Sequence, residues 1–328
     1  MPARIYNPAQ SQLRESDGGL IIGLVNNMPD AAIRSTERQF LALLNAAASD
    51  LDVTVRLFML PQMPRSVGAS DVFLGNYAST ERLGDITIDA LIVTGAEPKM
   101  PELTQEPYWP AFAELVDWAE DHTISTIWSC LAAHAAVLHL DGINRKRLDG
   151  KLSGVFECAK TSDHALVAGA PSHWPVPHSR FNDLAAADLE SRGYRPLARS
   201  PVAGIDMFIK QRNSLFLFFQ GHLEYESRSL LREYLRDITR FVDGERDAYP
   251  QMPLGYLDAE ATLAFEAVRE AAMAKRNAKP MAAKAASFAE QRLANVWKSQ
   301  AAGIYGNWLH YIWQQKSLRQ SAIQPVAA

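Results

Sequence analysis

Short apolar runs alternate with amphipathic stretches through the first half of the chain. Gly19-Leu-Ile-Ile-Gly-Leu-Val25 is apolar throughout and closes on Asn26-Asn-Met-Pro29. A run of that length bounded by a turn predicts a strand buried on both faces. Residues 35–48 follow with Phe40, Leu41, Leu43 and Leu44 on one side of a predicted helix. Residues 52–60 alternate through Val53, Val55, Leu57 and Met59, a second strand. Ala90-Leu-Ile-Val-Thr-Gly95 predicts a third, residues 108–121 a helix, Ser125-Thr-Ile-Trp-Ser129 a fourth strand and residues 131–140 another helix. Strands separated by helices at this spacing imply βαβ units and an α/β fold with a mostly parallel sheet.

Beyond residue 151 the pattern breaks into short strand-like pieces and turns. Residues 152–156, 164–167, 204–209 and 215–219 read as strands, the first in an inserted or edge β region and the last a return to the sheet. An amphipathic helix is predicted over 226–242. Residues 258–298 are rich in Ala, Glu, Lys and Arg, with Pro280 as the expected break. Tyr305, Trp308, Tyr311 and Ile312 recur at helical spacing, so this stripe should pack onto the main body or a second subunit. The expected organisation is an N-terminal arm over 1–18, a main domain over 19–257 and a C-terminal helical extension over 258–328.

Composition narrows the class of protein. The 328 residues are 48% hydrophobic, enough for a sizeable core in one large domain or two ordinary ones. With 21% charged and 9% aromatic residues the chain is not of the disordered type. Lys+Arg 33 against Asp+Glu 37 leaves a net charge of −4 and no electrostatic footprint for nucleic acid. The local basic stretch Lys275, Arg276, Lys279 and Lys284 reads as a solvated face. Two cysteines cannot make a disulfide scaffold, and His164, His173 and His178 match no zinc spacing, so no metal is expected. Residues 1–17 lack the apolar core of a signal peptide, and no apolar run reaches the roughly 18 residues of a membrane span. A cytoplasmic protein without membrane or nucleic-acid partners is expected.

The most informative segment is Ile124-Ser-Thr-Ile-Trp-Ser-Cys130-Leu-Ala-Ala-His134. An apolar strand stops at Cys130 and an Ala-rich helix begins at once, which puts the sulfur on a sharp strand-to-helix turn. The free N–H groups and dipole of the helix start favour a thiolate there and can receive an oxyanion. The matching element is Leu215-Phe-Leu-Phe-Phe-Gln-Gly-His222-Leu-Glu224, a hydrophobic strand ending in Gly-His-x-Glu. The carboxyl ends of parallel strands collect at one sheet edge, so His222 can meet Cys130, with Glu224 orienting the imidazole. A Cys-His-Glu triad is the simplest reading. The alternatives are a buried structural cysteine and a strand-end histidine bonded to backbone. Cys158 reads as packing.

With these motifs the chain resembles the class I glutamine amidotransferase-like fold, a flavodoxin-like sheet, and within it the homoserine O-acyltransferases (homoserine O-succinyltransferase and its acetyl-transferring relatives) of methionine biosynthesis. The resemblance is carried by Asn26-Asn-Met-Pro29, Thr36-Glu-Arg-Gln-Phe40, Leu91-Ile-Val-Thr-Gly-Ala96, Tyr108-Trp109, Lys151-Leu-Ser-Gly-Val155, Pro177-His-Ser-Arg180, Gly221-His-Leu-Glu-Tyr225, Glu233-Tyr-Leu-Arg-Asp237 and Asn307-Trp-Leu309. It implies that Cys130 accepts the acyl group, His222 is the general base and Glu224 its partner. It implies further that Lys151 and Ser179 contact substrate and that Arg236 binds the amino-acid substrate, a role suited to a guanidinium fork. The implied reaction is ping-pong acyl transfer from an acyl-CoA, succinyl-CoA or acetyl-CoA, to homoserine or a related hydroxy amino acid. No permanently bound cofactor and a homodimer are implied.

The chain departs from the family pattern at several places. Leu131 stands where Trp is usual, which preserves a backbone oxyanion role because only the N–H is used. His134 replaces Gln, and the lysine usual after Met28-Pro29 is missing, with Arg34 the nearest cation. Lys99 occupies the position that gates acyl size, with Glu97 nearby, and a lysine there could pair with the distal carboxylate of succinyl-CoA, which favours succinyl over acetyl as the expected acyl group. The rival enzyme with the same triad is a glutamine amidotransferase or γ-glutamyl hydrolase. The rival from another class is a non-catalytic binding or scaffold protein.

Overall fold

The computed structural model describes residues 4–5, 19–65, 75–275 and 277–323. Most of the expected arm, and Arg276 of the basic stretch, lie outside the described residues. The apolar runs form strands: β1 (Arg4–Ile5), β2 (Leu20–Val25), β3 (Val53–Met59), β4 (Tyr77–Ser79), β5 (Ala90–Val93) and β6 (Ser125–Ser129). Helices α1 (Asp30–Ala47), α2 (Trp109–His122) and α3 (Leu131–Asp141) connect them. The second half adds β7 (Lys146–Lys160), β8 (His173–Asp183), α4 (Ala186–Ser191), β9 (Arg195–Ser200), β10 (Gly204–Gln211), β11 (Leu215–Phe219) and α5 (Ser229–Val242), then α6 (Ala259–Lys275), α7 (Lys279–Glu290) and α8 (Lys298–Ile323).

These strands make one sheet in the order β1-β3-β2-β5-β6-β11-β10-β9-β7-β8, with β4 beside β3. The run from β1 to β11 is parallel, and β10, β9, β7 and β8 continue it antiparallel. The mostly parallel α/β sheet flanked by helices is therefore the one the pattern predicts. Its inserted region is the long β7–β8 hairpin at the far edge, within which residues 152–156 lie. Residues 164–167 are not a strand. Ala165–Val167 is a 3₁₀ turn capped by His164, whose ring nitrogen accepts from Leu166 N at 3.2 Å. Asn307 ties that turn to α8 through Leu166 O at 3.1 Å and Ala168 O at 2.9 Å. Local side-chain capping and a long-range tether outweigh the short apolar pattern there.

Alternation along each central strand feeds two cores. Ala90, Ile92, Ile127, Leu215 and Leu217 join Phe40 and Leu44 of α1 with Ile304, Trp308 and Ile312 of α8. Leu91, Val93, Trp128, Phe216 and Phe218 join Phe112 of α2 with Ala136 and Val137 of α3 on the opposite face. The α8 aromatic stripe thus packs on the main body. Helices α5, α6 and α7 share a third cluster around Phe241, Phe265 and Ala282. The stretch over 258–298 divides into α6 and α7 just ahead of Pro280, which sits in the first turn of α7, where its missing N–H costs no hydrogen bond. Among the described residues no helix is long and apolar enough to cross a membrane.

Trp308 is fully buried, and its indole N–H donates to Ser125 Oγ at 2.9 Å. Trp308→Ala should therefore cost about 3–5 kcal/mol, read as a lowered denaturant midpoint at unchanged slope. A loss below about 1 kcal/mol would mean that α8 contributes little to the main core.

Register positions the site. Val25 pairs with Val93, Val93 with Trp128 and Ser129 with Phe219. The carboxyl ends of β2, β5, β6 and β11 therefore stop at one level. The residues after them, including Thr94, Cys130 and Gln220, emerge along a single edge, where open α/β folds hold their ligands.

Candidate active site

All five residues of β6 are buried. Cys130 follows with φ 52° and ψ −113°, a conformation that costs a non-glycine residue roughly 1–3 kcal/mol and persists only when its surroundings impose it. The surroundings are visible. Cys130 N donates to Phe219 O at 2.7 Å, while Cys130 O already accepts from Ala133 N at 3.0 Å in the first turn of α3. The turn thus presents the sulfur beside the N–H groups of Leu131 and Ala132, whose positions in the first turn leave them without intrahelical acceptors. Gly95 packs on this turn, since a Cβ there would lie 3.0 Å from Leu131 N.

His222 is held just as tightly. Gly221 N donates to Asp206 Oδ1 at 2.9 Å, and His222 N donates to Pro177 O at 2.8 Å. Only glycine fits at 221, where a Cβ would come within 2.5 Å of Val176 Cγ1 and 2.6 Å of Asp206 Oδ1. His222 Nδ1 lies 2.8 Å from Glu224 Oε1, and the ring stacks on Tyr225 with centroids 4.2 Å apart. With the carboxylate as acceptor, Nδ1 carries the proton and Nε2 is left for Cys130, which lines the same cleft. Burial alone would favour the neutral imidazole, but the Cys130 and Glu224 charges and hydrogen bonds outweigh it. They hold the His222 pKa well above its usual value.

A second network lies across the cleft. Lys151 Nζ, on β7, bonds Glu233 Oε2 at 3.1 Å and Asp237 Oδ2 at 3.0 Å. The two carboxylates are four residues apart on α5 and so share one helix face. Tyr225 OH donates to Glu233 Oε1 at 2.5 Å, and Ser179 Oγ donates to Glu233 Oε2. Burial would raise the Glu233 pKa, yet Lys151 and the Ser179 and Tyr225 hydroxyls hold it below the ordinary glutamate value. Arg236 is half exposed and touches Asp237 Oδ1 at 3.4 Å.

These groups line one cleft of about 690 Å³, together with Leu131, His134 and Arg145. The structure therefore brings Cys130, His222, Glu224, Leu131, Lys151, Ser179 and Arg236 together. It does not bring Lys99 with them. That residue is exposed and does not line the cleft, and its amide donates to Glu106 Oε1 at 2.6 Å. Glu97 lines the wall instead and pairs with Arg240 at 3.6 Å. The reason is local: Glu106 ties the amides of residues 99 and 100 and turns the loop. His134 is buried against Gln220 at 2.9 Å. Burial, then the Arg180 charge, lowers its pKa to about 3, so it remains neutral. Cys158 is buried, and burial pushes its thiol pKa up, as befits packing. Sequence reasoning missed Glu233 and Asp237 as the buried partners of Lys151. Their four-residue spacing was the available signal, but its partner is remote in sequence.

Fold and site together define an α/β protein with a cysteine on a strained strand-to-helix turn at the strand carboxyl edge, in one cleft with a histidine–glutamate pair. The chain belongs to the homoserine O-succinyltransferase family, whose sequence model matches residues 9–318. It is 49% identical to a homoserine O-succinyltransferase of Rhodopseudomonas palustris over 94% of this chain and 93% of that one. It is 45% identical to another of Methylorubrum extorquens over 92% and 88%. Among solved structures, a glutamine amidotransferase of Thermotoga maritima matches at TM-score 0.47 and 12% identity, covering 90% of this chain and 99% of that one. A glutamine amidotransferase of Methylobacillus flagellatus matches at TM-score 0.49 and 14% identity, covering 90% and 95%.

Proposed function

We propose that this protein transfers a succinyl group from succinyl-CoA, through a thioester on Cys130, to the hydroxyl of L-homoserine. The observation that carries the reading is the cysteine at a strained elbow, lining one cleft with a Glu224-held imidazole whose pKa it helps to raise, in a chain of the homoserine O-succinyltransferase family. The donor is a substrate, and the chemistry needs no resident cofactor.

In the first half-reaction the Cys130 thiolate attacks the donor carbonyl. A carbon–sulfur bond forms, and the oxyanion is received by the Leu131 N–H. Collapse breaks the bond to CoA, whose thiolate takes the proton of the His222 imidazolium. Acylation also removes the Cys130 negative charge, one of the causes that raise the His222 pKa. The neutral ring is then favoured just when a base is needed. In the second half-reaction the acceptor hydroxyl gives its proton to Nε2 and attacks the thioester. Collapse expels the Cys130 thiolate and leaves the ester, with His222 again protonated. Arg236 pairs with the acceptor carboxylate, and Lys151 and Ser179 shape its side of the cleft through Glu233. An acceptor filling this volume keeps water from the thioester.

Incubation with succinyl-CoA or acetyl-CoA, crossed with L-homoserine and L-serine and followed by mass spectrometry, tests the reading. The expected result is O-succinylhomoserine, with a succinyl increment on Cys130 when the acceptor is withheld. Hydrolysis of glutamine or γ-glutamyl peptides without transfer from any acyl-CoA would instead identify the amidotransferase-type rival.

A further inference from the structure

If Lys99 does not line the cleft, a succinyl donor still needs a cation for its distal carboxylate, because an unpaired buried carboxylate is strongly disfavoured. The cations that do line the cleft are mostly committed. Lys151, Arg180, Arg236, Arg240 and Arg246 each lie within ion-pair distance of a carboxylate. Arg147 is exposed and lies over the Phe181 ring at 4.7 Å.

Arg145 is different. Gly142, with φ 67°, ends α3 and turns the chain back, and Ile143 buries itself in the α2–α3 core. Arg145 then stands at the wall shared by the main cleft and an adjoining recess of about 330 Å³, and His134 lines both. Its Nη1 is buried without a hydrogen-bond partner, as are His134 Nδ1 and the hydroxyl of Tyr108. The acidic groups facing it are Glu102 and Glu106, with the neutral Tyr108 hydroxyl nearby, and none forms an ion pair with it among the described residues. Two of these orphaned atoms, on Arg145 and His134, belong to residues that line both cavities, an exception to the rule that buried polar groups are satisfied.

We infer that Arg145 receives the distal carboxylate of the acyl donor, which makes it the residue that selects a dicarboxylic acyl chain over a neutral one. The reach fits. His134 lies one turn along α3 from Cys130, about 5.4 Å of helix. An extended four-carbon acyl chain on the sulfur spans about 5–6 Å. A guanidinium offers that carboxylate two parallel donors, a geometry a solvated lysine does not reproduce. The inference rests on the acyl-transfer reading above and names the donor chemistry of the same site.

The test compares succinyl-CoA with butyryl-CoA, a chain of equal carbon number without the carboxylate, in the wild type, Arg145→Met and Arg145→Lys. In Arg145→Met the ratio of kcat/KM values, succinyl over butyryl, should fall about 10- to 100-fold, with partial return in Arg145→Lys and little change in the homoserine KM. An unchanged ratio, with both donors slowed together or neither slowed, would overturn the inference, as would an effect confined to the homoserine KM. Acyl increments on Cys130 separate the two levels of argument. A wild type acylated by neither donor defeats the acyl-transfer reading itself, whereas acylation with an unchanged ratio defeats only the role of Arg145.

Discussion

Cys130→Ser is expected to reduce acyl transfer by about 10³-fold or more and to abolish the acyl increment on residue 130. A serine fits the same elbow, since its demands on φ are no greater, so the protein should fold and melt as before. What changes is the acidity of the nucleophile. A thiol gives up its proton to a neighbouring imidazole readily, and a hydroxyl does so only within the transition state. The substitution also carries a signature that simple damage would not. The Cys130 side chain is one of the causes that keep His222 protonated, so its loss should lower the His222 pKa, read by NMR titration of the ring. Full activity in Cys130→Ser, with ester formed and no adduct, would mean direct transfer from donor to acceptor and would remove the covalent step.

The second large effect is expected for Glu224→Gln, a fall in kcat of about 10²- to 10⁴-fold. Glu224 accepts from His222 Nδ1 at 2.8 Å and helps raise the pKa of the ring. An amide carries no charge and can present its NH₂ to Nδ1, which leaves the imidazole in the wrong tautomer. The sign of the pH effect follows. Because the folded pKa of His222 lies above its ordinary value, the imidazolium that supports the thiolate survives to higher pH in the wild type. Removing Glu224 lowers that pKa, so the alkaline limb of kcat/KM for the donor should move to lower pH. Stability follows the same linkage. The contribution of the His222–Glu224 pair is full below the unfolded pKa of the ring and is lost as pH rises through the folded one, so the deficit of the variant should shrink on the alkaline side. An alkaline limb that stays in place would show that Glu224 only packs.

Much of this site was legible in the chain. The strand runs at 19–25, 90–93, 125–129 and 215–219 appear where apolar continuity predicts them. The elbow at Cys130 and the Gly-His-x-Glu end of β11 follow from a strand stopping abruptly. What was not legible lies in loops and in pairings between remote residues. Lys151 meets Glu233 and Asp237 across 82 and 86 residues of chain. No local pattern announces such a pair. Lys99 looked like a pocket residue because of its sequence position, until Glu106 turned its loop outward. Residues 164–167 looked like a strand until His164 capped a turn and Asn307 held it.

The sequence by itself determined the parallel sheet and the elbow. It also determined the chemical character of the groups at two strand ends, because strand and helix preferences and turn geometry are set by neighbours within a few residues. Only the tertiary structure decided which cations are neutralised, which face the cleft and that Arg145 carries an orphaned guanidinium nitrogen at its wall. Those outcomes depend on the register that levels four strand ends along one edge. They depend also on burial, which makes an electrostatic pairing matter and is a property of the assembled chain.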